Sequence, residues 1–325
     1  KGMNGHLTVF AKENYPDSKS DLFAMFMERT LSLSLKRGMM AMINMQSWMF
    51  LSSYENLRGK LLTHSTILSM AHLGERGFDT IGGAVVSTTA FVIRNAHHSS
   101  FNGDYARLVD GNSEAEKSAQ MQKAIQDPDC GWFYCASIEN FENIPGSPIV
   151  YWLGERWVDA FKRSIPLGDV TAASEGVKTG NNERFLRYWF EVNNLETAPF
   201  KDSNPKWVYH LKGGEFRRWH GNSEYVILWA QNGAKIKSQT NSGIQGQAAF
   251  NRDAAIWSDI TSGGYSARLK PNGYLFDSSS PAGFLAEFES QDDLLGLLNS
   301  KVCGAATPML NPTLHFKVGN FRSLP

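Results

Sequence analysis

Helical segments and short apolar segments alternate over the first 95 residues, and this alternation restricts the possible fold more than any other feature of the sequence. The apolar segments have the composition of buried strands: MMAMIN (39–44), TILSMAHL (66–73) and AVVSTTAFVIRN (84–95). A helical pattern capped by Ser20 and ended by Gly38 precedes the first strand. A second helix at about Ser52 to Leu62 precedes the second strand. This order predicts an α/β fold, the tail of a doubly wound parallel sheet with helices on both faces.

The glycine-rich turn that such sheets use to hold a cofactor is not found in this sequence. The segment GVKTGNN (176–182) lacks the spacing and the Gly-Lys-Ser/Thr ending of a phosphate loop. Lys212-Gly213-Gly214 lies between strand-like segments rather than before a helix. The pattern therefore predicts that the chain begins partway through a domain, with the cofactor turn upstream of Lys1.

The pattern changes from about Ala96 onward. A polar stretch reaches Asp129 and contains one predicted helix, near Ser113 to Ile125. Short strands separated by glycine and asparagine follow, with successive hairpins predicted at 205–239. Their turns are predicted at Lys212-Gly213-Gly214, His220-Gly221-Asn222 and Asn232-Gly233, and a short helix is predicted at 291–302. The second half is therefore expected to be mixed and β-rich.

Composition narrows the class of protein. With 42% apolar residues in 325, the chain can bury one or two cores. No run approaches the roughly 18 apolar residues of a membrane helix, and no signal peptide is evident, so a soluble, cytoplasmic protein without membrane contact is predicted. Cys130 and Cys135 lack two further ligands at zinc spacing, so buried thiols and no metal site are predicted.

Charge is distributed unevenly, although the chain has no net charge. Residues 201–270 hold ten Lys/Arg and five Asp/Glu, a net charge of +5. Residues 96–150 hold three Lys/Arg and eight Asp/Glu, a net charge of −5. The first of these stretches is therefore able to face phosphate groups.

Two long segments carry a resemblance to a known family. DSKSDLFAMFMERTLSLSLKRGMMAMINMQSWMF and MAHLGERGFDTIGGAVVSTTAFVIRN resemble the second half of the catalytic domain of adenine-N6 DNA methyltransferases. Later segments, among them EGVKTGNNERFLRYWFEV and WVYHLKGGEFRRWHGN, resemble the target-recognition region of the large BREX phage-defence methyltransferases and of related combined restriction–modification enzymes. The catalytic Asn-Pro-Pro-Tyr motif of that family is absent, because neither Asn204-Pro205 nor Asn311-Pro312 is followed by Pro-Tyr.

The resemblance implies a domain organisation and an activity. Residues 1–95 are expected to be the C-terminal half of a Rossmann-like methyltransferase sheet, 96–129 a connector, and 130–325 a DNA target-recognition domain. The parent protein is expected to methylate adenine in double-stranded DNA with S-adenosyl-L-methionine, by base flipping, in phage defence or restriction–modification. The segment alone is expected to be inactive, with its catalytic residues upstream. The resemblance leaves room for other phage-defence proteins as partners.

The resemblance also implies roles for three residues of the first 95. Phe78 stands where an aromatic side chain stacks on the flipped base, flanked by glycines at 77, 82 and 83. The alternative is a phenylalanine that plugs the end of the sheet. Asp21 and Phe23 resemble a segment that approaches the cofactor adenosine, and the alternative for them is a helix cap and a core aromatic.

Two basic segments are predicted to contact DNA, because Arg and Lys pair with phosphates or guanine and Asn pairs with adenine. Their candidate residues are Lys178, Asn181, Asn182, Arg184 and Arg187, expected to contact bases, and Lys212, Arg217 and Arg218, expected to contact phosphates. Outward charges on ordinary strands, with Trp189 and Trp219 in the core, are the alternative. Two other functions remain open: the recognition part of a restriction–modification fusion, and a non-catalytic DNA-binding specificity module.

Overall fold

The computed structural model describes residues 2–81, 86–200, 205–260, 264–285, 290–311 and 315–325. The chain divides into two compact units, Lys1–Arg163 and Ser164–Pro325. These bounds differ from the expected ones at residues 95 and 129, because the expected connector supplies a strand to the sheet of the first unit. The functional assignment of the segments stays a prediction.

The first unit contains one sheet with helices. Its helices are α1 (Gly5–Asn14), α2 (Leu22–Leu33), α3 (Glu55–His64), α4 (Glu114–Gln126), α5 (Ile138–Glu142) and α6 (Glu155–Arg163). Its strands are β1 (Met39–Met45), β2 (Thr66–Gly74), β3 (Thr88–Arg94), β4 (Asn102–Arg107) and β5 (Phe133–Ser137). The strands predicted at 39–44 and 66–73 and the helix near Ser113 are confirmed, and Ser113 caps α4 by accepting a hydrogen bond from the Glu116 amide. Residues 84–85 of the third predicted strand lie outside the described residues.

The strand order of this sheet is β1-β3-β2-β4-β5. β3 lies between β1 and β2 and runs antiparallel to both, while β2 and β4 are parallel. The apolar pattern of the first strand favoured a parallel sheet, and β3 departs from that expectation. The reason is the connection from β2 to β3, which carries no described helix, so the chain returns in the opposite direction instead of crossing over.

One face of the sheet is buried and the other is partly open. Met40 and Phe91 are buried, whereas Met39 and Ile43 of β1 are 61% and 59% exposed. An open pocket of about 390 Å³ lies on this side, with Ala41, Ala71 and Ala90 among its lining residues. The expectation that helices cover both faces is thus wrong for β1 within the described residues. On the buried side, Arg58 of α3 donates hydrogen bonds to the carbonyls of Trp48, Leu51 and Gly146.

The second unit is mixed and β-rich, as predicted. Its strands are β6 (Thr171–Ser174), β7 (Val177–Lys178), β8 (Leu186–Tyr188), β9 (Thr197–Ala198), β10 (Trp207–Leu211), β11 (Tyr225–Leu228), β12 (Gly243–Ile244), β13 (Ala254–Trp257), β14 (Ala267–Lys270), β15 (Leu275–Phe276) and β16 (Ala282–Leu285). Its helices are α7 (Leu167–Val170), α8 (Asn182–Phe185), α9 (Ala230–Lys237), α10 (Gln291–Leu298), α11 (Lys301–Leu310) and α12 (Val318–Arg322). One sheet has the order β15-β10-β11-β8 with β9 beside β10, another has the order β14-β13-β16-β6, and β7 pairs with β12.

The predicted series of hairpins at 205–239 is a single hairpin. β10 and β11 pair antiparallel, and residues 212–224 connect them. Asn232 and Gly233, predicted as a turn, lie within α9 in left-handed conformations. The helix predicted at 291–302 is also divided, into α10 and α11, where the Asn299 side chain pairs with the backbone of Ala267.

Candidate nucleic-acid interface

The carboxyl ends of β1 and β2 lie at the same edge of the first sheet, because β3 is antiparallel to both strands. His72 lies in β2 near this edge and is 3% exposed. Its Nε2 lies 2.6 Å from Oε1 of Gln46, and its Nδ1 lies 2.9 Å from the hydroxyl of Tyr151. Burial, together with the positive charges of Arg107 and Lys117, lowers the pKa of His72 to about 3. The imidazole of His72 is therefore neutral, and its two hydrogen bonds connect it to the side chains of Gln46 and Tyr151.

Two polar groups at this edge are buried without a hydrogen-bond partner among the described residues. They are the carboxamide of Asn44 in β1 and the hydroxyl of Thr88 at the start of β3. A buried polar group without a partner costs roughly 1–3 kcal/mol, so proteins seldom keep one without a reason. These groups mark the same edge of the sheet at which doubly wound proteins place their ligands.

Phe78 lies in the connection that follows β2 and is partly buried. Gly74 begins the connection with a φ of 65°. A Cβ at Gly77 would lie 2.8 Å from Oγ1 of Thr88, so this glycine permits close approach to β3. The loop is also held at Asp79, whose Oδ1 accepts a hydrogen bond from the Glu114 amide. The glycines at 82 and 83 lie outside the described residues, and the stacking role of Phe78 stays a prediction.

Asp21 and Phe23 lie at the start of α2. Asp21, not Ser20, is the N-cap residue, and Phe23 is partly exposed with its ring centroid 5.6 Å from that of Tyr54. Burial, followed by the negative charge of Asp21, raises the pKa of Tyr54 to about 12. A carboxylate beside an aromatic ring suits one edge of an adenosine, but no glycine-rich turn accompanies these residues in the sequence. They do not fit a complete cofactor site, and no chemical step is assigned through a cofactor.

In the second unit, three of the predicted base-contacting residues lie around one pocket of about 320 Å³. Its lining residues are Lys178, Thr179, Gly180, Asn181, Asn182, Asp277 and Ser278. Lys178, Asn181 and Asn182 are exposed, whereas Thr179 and Asp277 are buried. Lys178, Asn181 and Asn182 were predicted together because they share one segment, whereas Asp277 lies far away along the chain and was not predicted.

Asp277 lies beside a buried histidine. Its Oδ2 lies 3.6 Å from Nε2 of His210, and the side chains of Asp277 and His210 are 8% and 0% exposed. Burial alone would raise the pKa of the Asp277 carboxyl, but His210 and Ser279 outweigh it and hold this pKa below its usual value. Asp277 therefore presents a carboxylate to the pocket.

Arg184 and Arg187 have contacts within their own segment. The guanidinium of Arg184 lies 5.3 Å from the ring centroid of Phe185. Nη1 of Arg187 donates hydrogen bonds of 2.6 Å to the carbonyls of Glu183 and Leu186. Arg187 is thus partly engaged in local structure, while Arg184 remains exposed.

The three predicted phosphate contacts lie in or next to the connection between β10 and β11. Arg217 and Arg218 are exposed, and Lys212 is partly buried with its Nζ 5.5 Å from the ring centroid of Tyr225. The arginines lie in a loop, not on a strand as predicted. The loop is held at Trp219, whose amide and carbonyl pair with the backbone of Ala267 and Leu269.

The alternative assignment of tryptophans to the core is wrong, because Trp189 and Trp219 are 59% and 53% exposed. Trp189 continues a row of aromatic rings in which the exposed Tyr188 stacks on the exposed Phe190 and on the partly buried Tyr225. The prediction of buried thiols is also partly wrong, since Cys135 is exposed and only Cys303 is buried.

The positive charge of residues 201–270 is only partly on the surface. Arg268 and Lys270 are each 0% exposed. Burial lowers the pKa of Arg268 to about 10 and that of Lys270 to about 7. Nζ of Lys270 donates to the carbonyls of Phe250, Arg252 and Pro271. Two of the ten basic residues of this stretch therefore lie in the core. The net charge of +5 overstates the positive charge that residues 201–270 present at the surface.

Sequence reasoning missed His72, His210 and Asp277. The signal for His72 and His210 was a single histidine within an apolar strand, a pattern that usually means a satisfied core histidine. No pattern along the chain indicates that Asp277 approaches Lys178. No group of three His, Cys, Asp or Glu side chains suitable for a metal ion occurs in the described ranges. Among the helices within those ranges, none has the length and apolar character needed to cross a bilayer.

Comparisons with known proteins find similarity to adenine-specific methyltransferases and to restriction-modification enzymes. The family described as Eco57I restriction-modification methylase matches residues 1–78. The chain is 40% identical over 333 residues to the adenine-specific methyltransferase PglX of Lacticaseibacillus casei, covering 98% of this chain and 28% of that protein. It is also 40% identical over 331 residues to the adenine-specific methyltransferase BrxX of Escherichia coli O9:H4, covering 100% of this chain and 26% of that protein.

The chain thus spans about a quarter of the length of these relatives. Among solved structures, the Type IIL restriction-modification enzyme MmeI in complex with DNA is similar in fold, with a TM-score of 0.59 and 11% identity over 98% of this chain and 43% of MmeI. The predicted resemblance to adenine-specific methyltransferases and the predicted α/β fold class are confirmed by these similarities.

Proposed function

We propose that this chain, which is similar over nearly its whole length to adenine-specific methyltransferases, is part of an adenine-N6 DNA methyltransferase of phage defence or restriction–modification. In this proposal the first unit supplies the last strands of the catalytic sheet. The second unit supplies the surface that recognises the DNA target. The complete enzyme uses S-adenosyl-L-methionine as the methyl donor.

The observation that carries the proposal is the 40% identity over an alignment that covers 98% of the chain and therefore reaches both units. The first unit adds a structural argument. Within the described residues β1 pairs on one side only, with β3, and its Met39 and Ile43 are exposed. The unpaired side of an edge strand can pair with a further strand. Its exposed apolar face can be covered by a helix. Both features suit a sheet that a larger catalytic domain completes.

The proposed chemistry depends on positioning more than on a reactive side chain in this chain. Methyl transfer to an adenine amine needs the base outside the duplex and its nitrogen in line with the methyl donor. Phe78, at the carboxyl edge of the first sheet, is proposed to stack on the extruded base. Asp21 and Phe23 are proposed to lie beside the cofactor adenosine, with the residues that hold the amine supplied elsewhere in the enzyme.

In the second unit we propose a division of tasks among the exposed residues. Lys178, Asn181 and Asn182 line a polar pocket and are suited to base edges. Arg217 and Arg218 lie together in an exposed loop and are suited to phosphates. Arg184 is proposed to contact bases and Lys212 to contact phosphates. Arg187 is proposed to contribute less to DNA binding, because its guanidinium donates hydrogen bonds to the local carbonyls of Glu183 and Leu186.

The test is the methylation pattern that the full-length protein produces. The gene that contains this sequence is expressed in a host without adenine methylation, and the genomic DNA is sequenced with a method that detects N6-methyladenine. We expect one short sequence motif to be methylated. The matched control carries alanine in place of the asparagine of the Asn-Pro-Pro-Tyr motif in the full-length protein, and it should produce no methylation.

The other outcomes separate the alternatives. Binding of one DNA motif without methylation would indicate a non-catalytic specificity module. Cleavage near the motif, in addition to methylation, would indicate a restriction–modification fusion. Absence of both methylation and sequence-selective binding would contradict the proposal.

A further inference from the structure

The polar pocket of the second unit has a fixed donor on one wall. Thr179, which is 2% exposed, donates a hydrogen bond of 2.6 Å from its hydroxyl to Oδ1 of Asn182. The Thr179 hydroxyl in turn accepts a hydrogen bond from the Asn181 amide. Because its oxygen is occupied, the Asn182 carboxamide is oriented and its Nδ2 group remains available as a donor.

Another wall of the same pocket has a fixed acceptor. Asp277 follows β15 in a turn in which the Ser279 amide donates 2.8 Å to its Oδ1. His210 lies against the other carboxylate oxygen from β10 and has no exposed surface. The backbone holds this arrangement in place, since the Asp277 amide donates to the Leu211 carbonyl and the Ser278 amide donates to the Val177 carbonyl.

Stability alone gives a poor reason for burying the Asp277 carboxylate beside the pocket. Taking a carboxylate out of water carries a free-energy penalty, which the groups around it have to offset. A buried carboxylate beside a pocket is therefore a candidate functional group. Its effect is to present one carboxylate, in one orientation, to whatever enters the pocket.

A carboxylate beside an amide donor suits particular base edges in the major groove. Adenine offers an amine at N6 next to the acceptor N7, and cytosine offers an amine at N4. Guanine and thymine present acceptor oxygens at the equivalent places, which a carboxylate repels. The groups of the pocket therefore match bases that present an amine in the major groove, adenine and cytosine, better than guanine or thymine.

We propose that Asp277 determines specificity by accepting a hydrogen bond from the exocyclic amine of an adenine or cytosine in the DNA site, with Asn182 on the same base pair. This inference rests on the proposed function of the second unit in DNA recognition. The base concerned belongs to the recognised motif and is distinct from the methylated adenine. His210 acts as a positioning residue that holds the carboxylate.

The test compares the DNA motifs that full-length variants select from a pool of duplexes with randomised sequence. Asp277→Asn keeps the shape of the side chain but replaces an acceptor oxygen with a donor. Asn182→Asp keeps the oxygen that Thr179 binds but replaces the donor with an acceptor. Asp169→Asn, at an exposed carboxylate in α7, is the matched control.

We expect both pocket variants to lose, by roughly tenfold or more, the preference for an amine-bearing base at one and the same motif position. The other positions and the affinity for scrambled duplexes should match the unmodified protein, as should every property of Asp169→Asn. If Asp277→Asn unfolds, the exposed Asn182→Asp variant decides.

Unchanged motifs in both pocket variants, or losses at two different positions, would overturn the inference while the proposed function stands. If the unmodified protein itself selects no motif, the proposed function fails, and the inference fails with it.

Discussion

His72 makes the stability of the first unit depend on pH in a defined direction. Its pKa is about 3 in the folded chain and 6.5 when unperturbed. The fold therefore favours the neutral imidazole, which Gln46 and Tyr151 hold by hydrogen bonds. Its contribution to stability is fully present above about pH 6.5. It is lost as the pH falls toward 3, because the unfolded chain takes up the proton first.

The size of the effect follows from the two pKa values. At about pH 5 the unfolded chain takes up a proton at His72, and the folded chain does not. This difference lowers the free energy of unfolding by about 2 kcal/mol relative to about pH 7. The perturbation is His72→Gln, which retains hydrogen-bonding groups but cannot titrate. We expect the unmodified chain to lose about 2 kcal/mol more than this variant between about pH 7 and pH 5.

The assay is urea unfolding of both proteins at the two pH values. His64→Gln, at an exposed histidine that ends α3 in the same unit, is the matched control and should lose as much stability as the unmodified chain. Equal losses in the unmodified chain and in His72→Gln would refute the reasoning, because His72 would then be accessible to protons in the folded state.

Three further predictions concern function. The 325-residue chain alone should bind S-adenosylmethionine too weakly for calorimetry and should not methylate DNA, and micromolar binding would contradict the absence of a complete cofactor site. In the full-length protein, Phe78→Ala should cost roughly 1–3 kcal/mol of base stacking, reported by 2-aminopurine fluorescence, with little change in melting temperature. Phe101→Ala, at the opposite edge of the same sheet, is its control, and an unchanged methylation rate with a large loss of stability would identify Phe78 as a core aromatic. Arg217→Ala or Arg218→Ala should weaken binding to all sequences alike and lower the salt slope by about one for each lost phosphate contact, whereas Lys301→Ala should not. Wild-type affinity and slope in both arginine variants would show that their loop faces solvent.

Local patterns predicted part of the secondary structure of the first unit. The strands predicted at 39–44 and 66–73 are observed at 39–45 and 66–74, and the helix predicted near Ser113 begins there, whereas α1 was not predicted. The same patterns did not reveal that β3 lies antiparallel between β1 and β2. Strand direction depends on the path of the connection, and the residues of a strand read alike in either direction.

For the candidate site too, the sequence predicted the exposure of some residues correctly and of others wrongly. Residue type identified Lys178, Asn181, Asn182, Arg217 and Arg218 as exposed polar groups, because charged and amide side chains rarely lose their contact with water. It misjudged Trp189 and Trp219, which are exposed, since burial of an aromatic ring depends on the neighbours that the fold provides.

By itself, the sequence determined the α/β character, the positions of the first strands and the resemblance to adenine-specific methyltransferases, since all of these are written in residue order. Only the tertiary structure decided that Arg268 and Lys270 are in the core, and that Asp277 and His210 stand behind the pocket of Lys178 and Asn182. The physical reason is that burial and ion pairing depend on distances in space. Folding brings residues about a hundred positions apart within reach, and no local pattern records that approach.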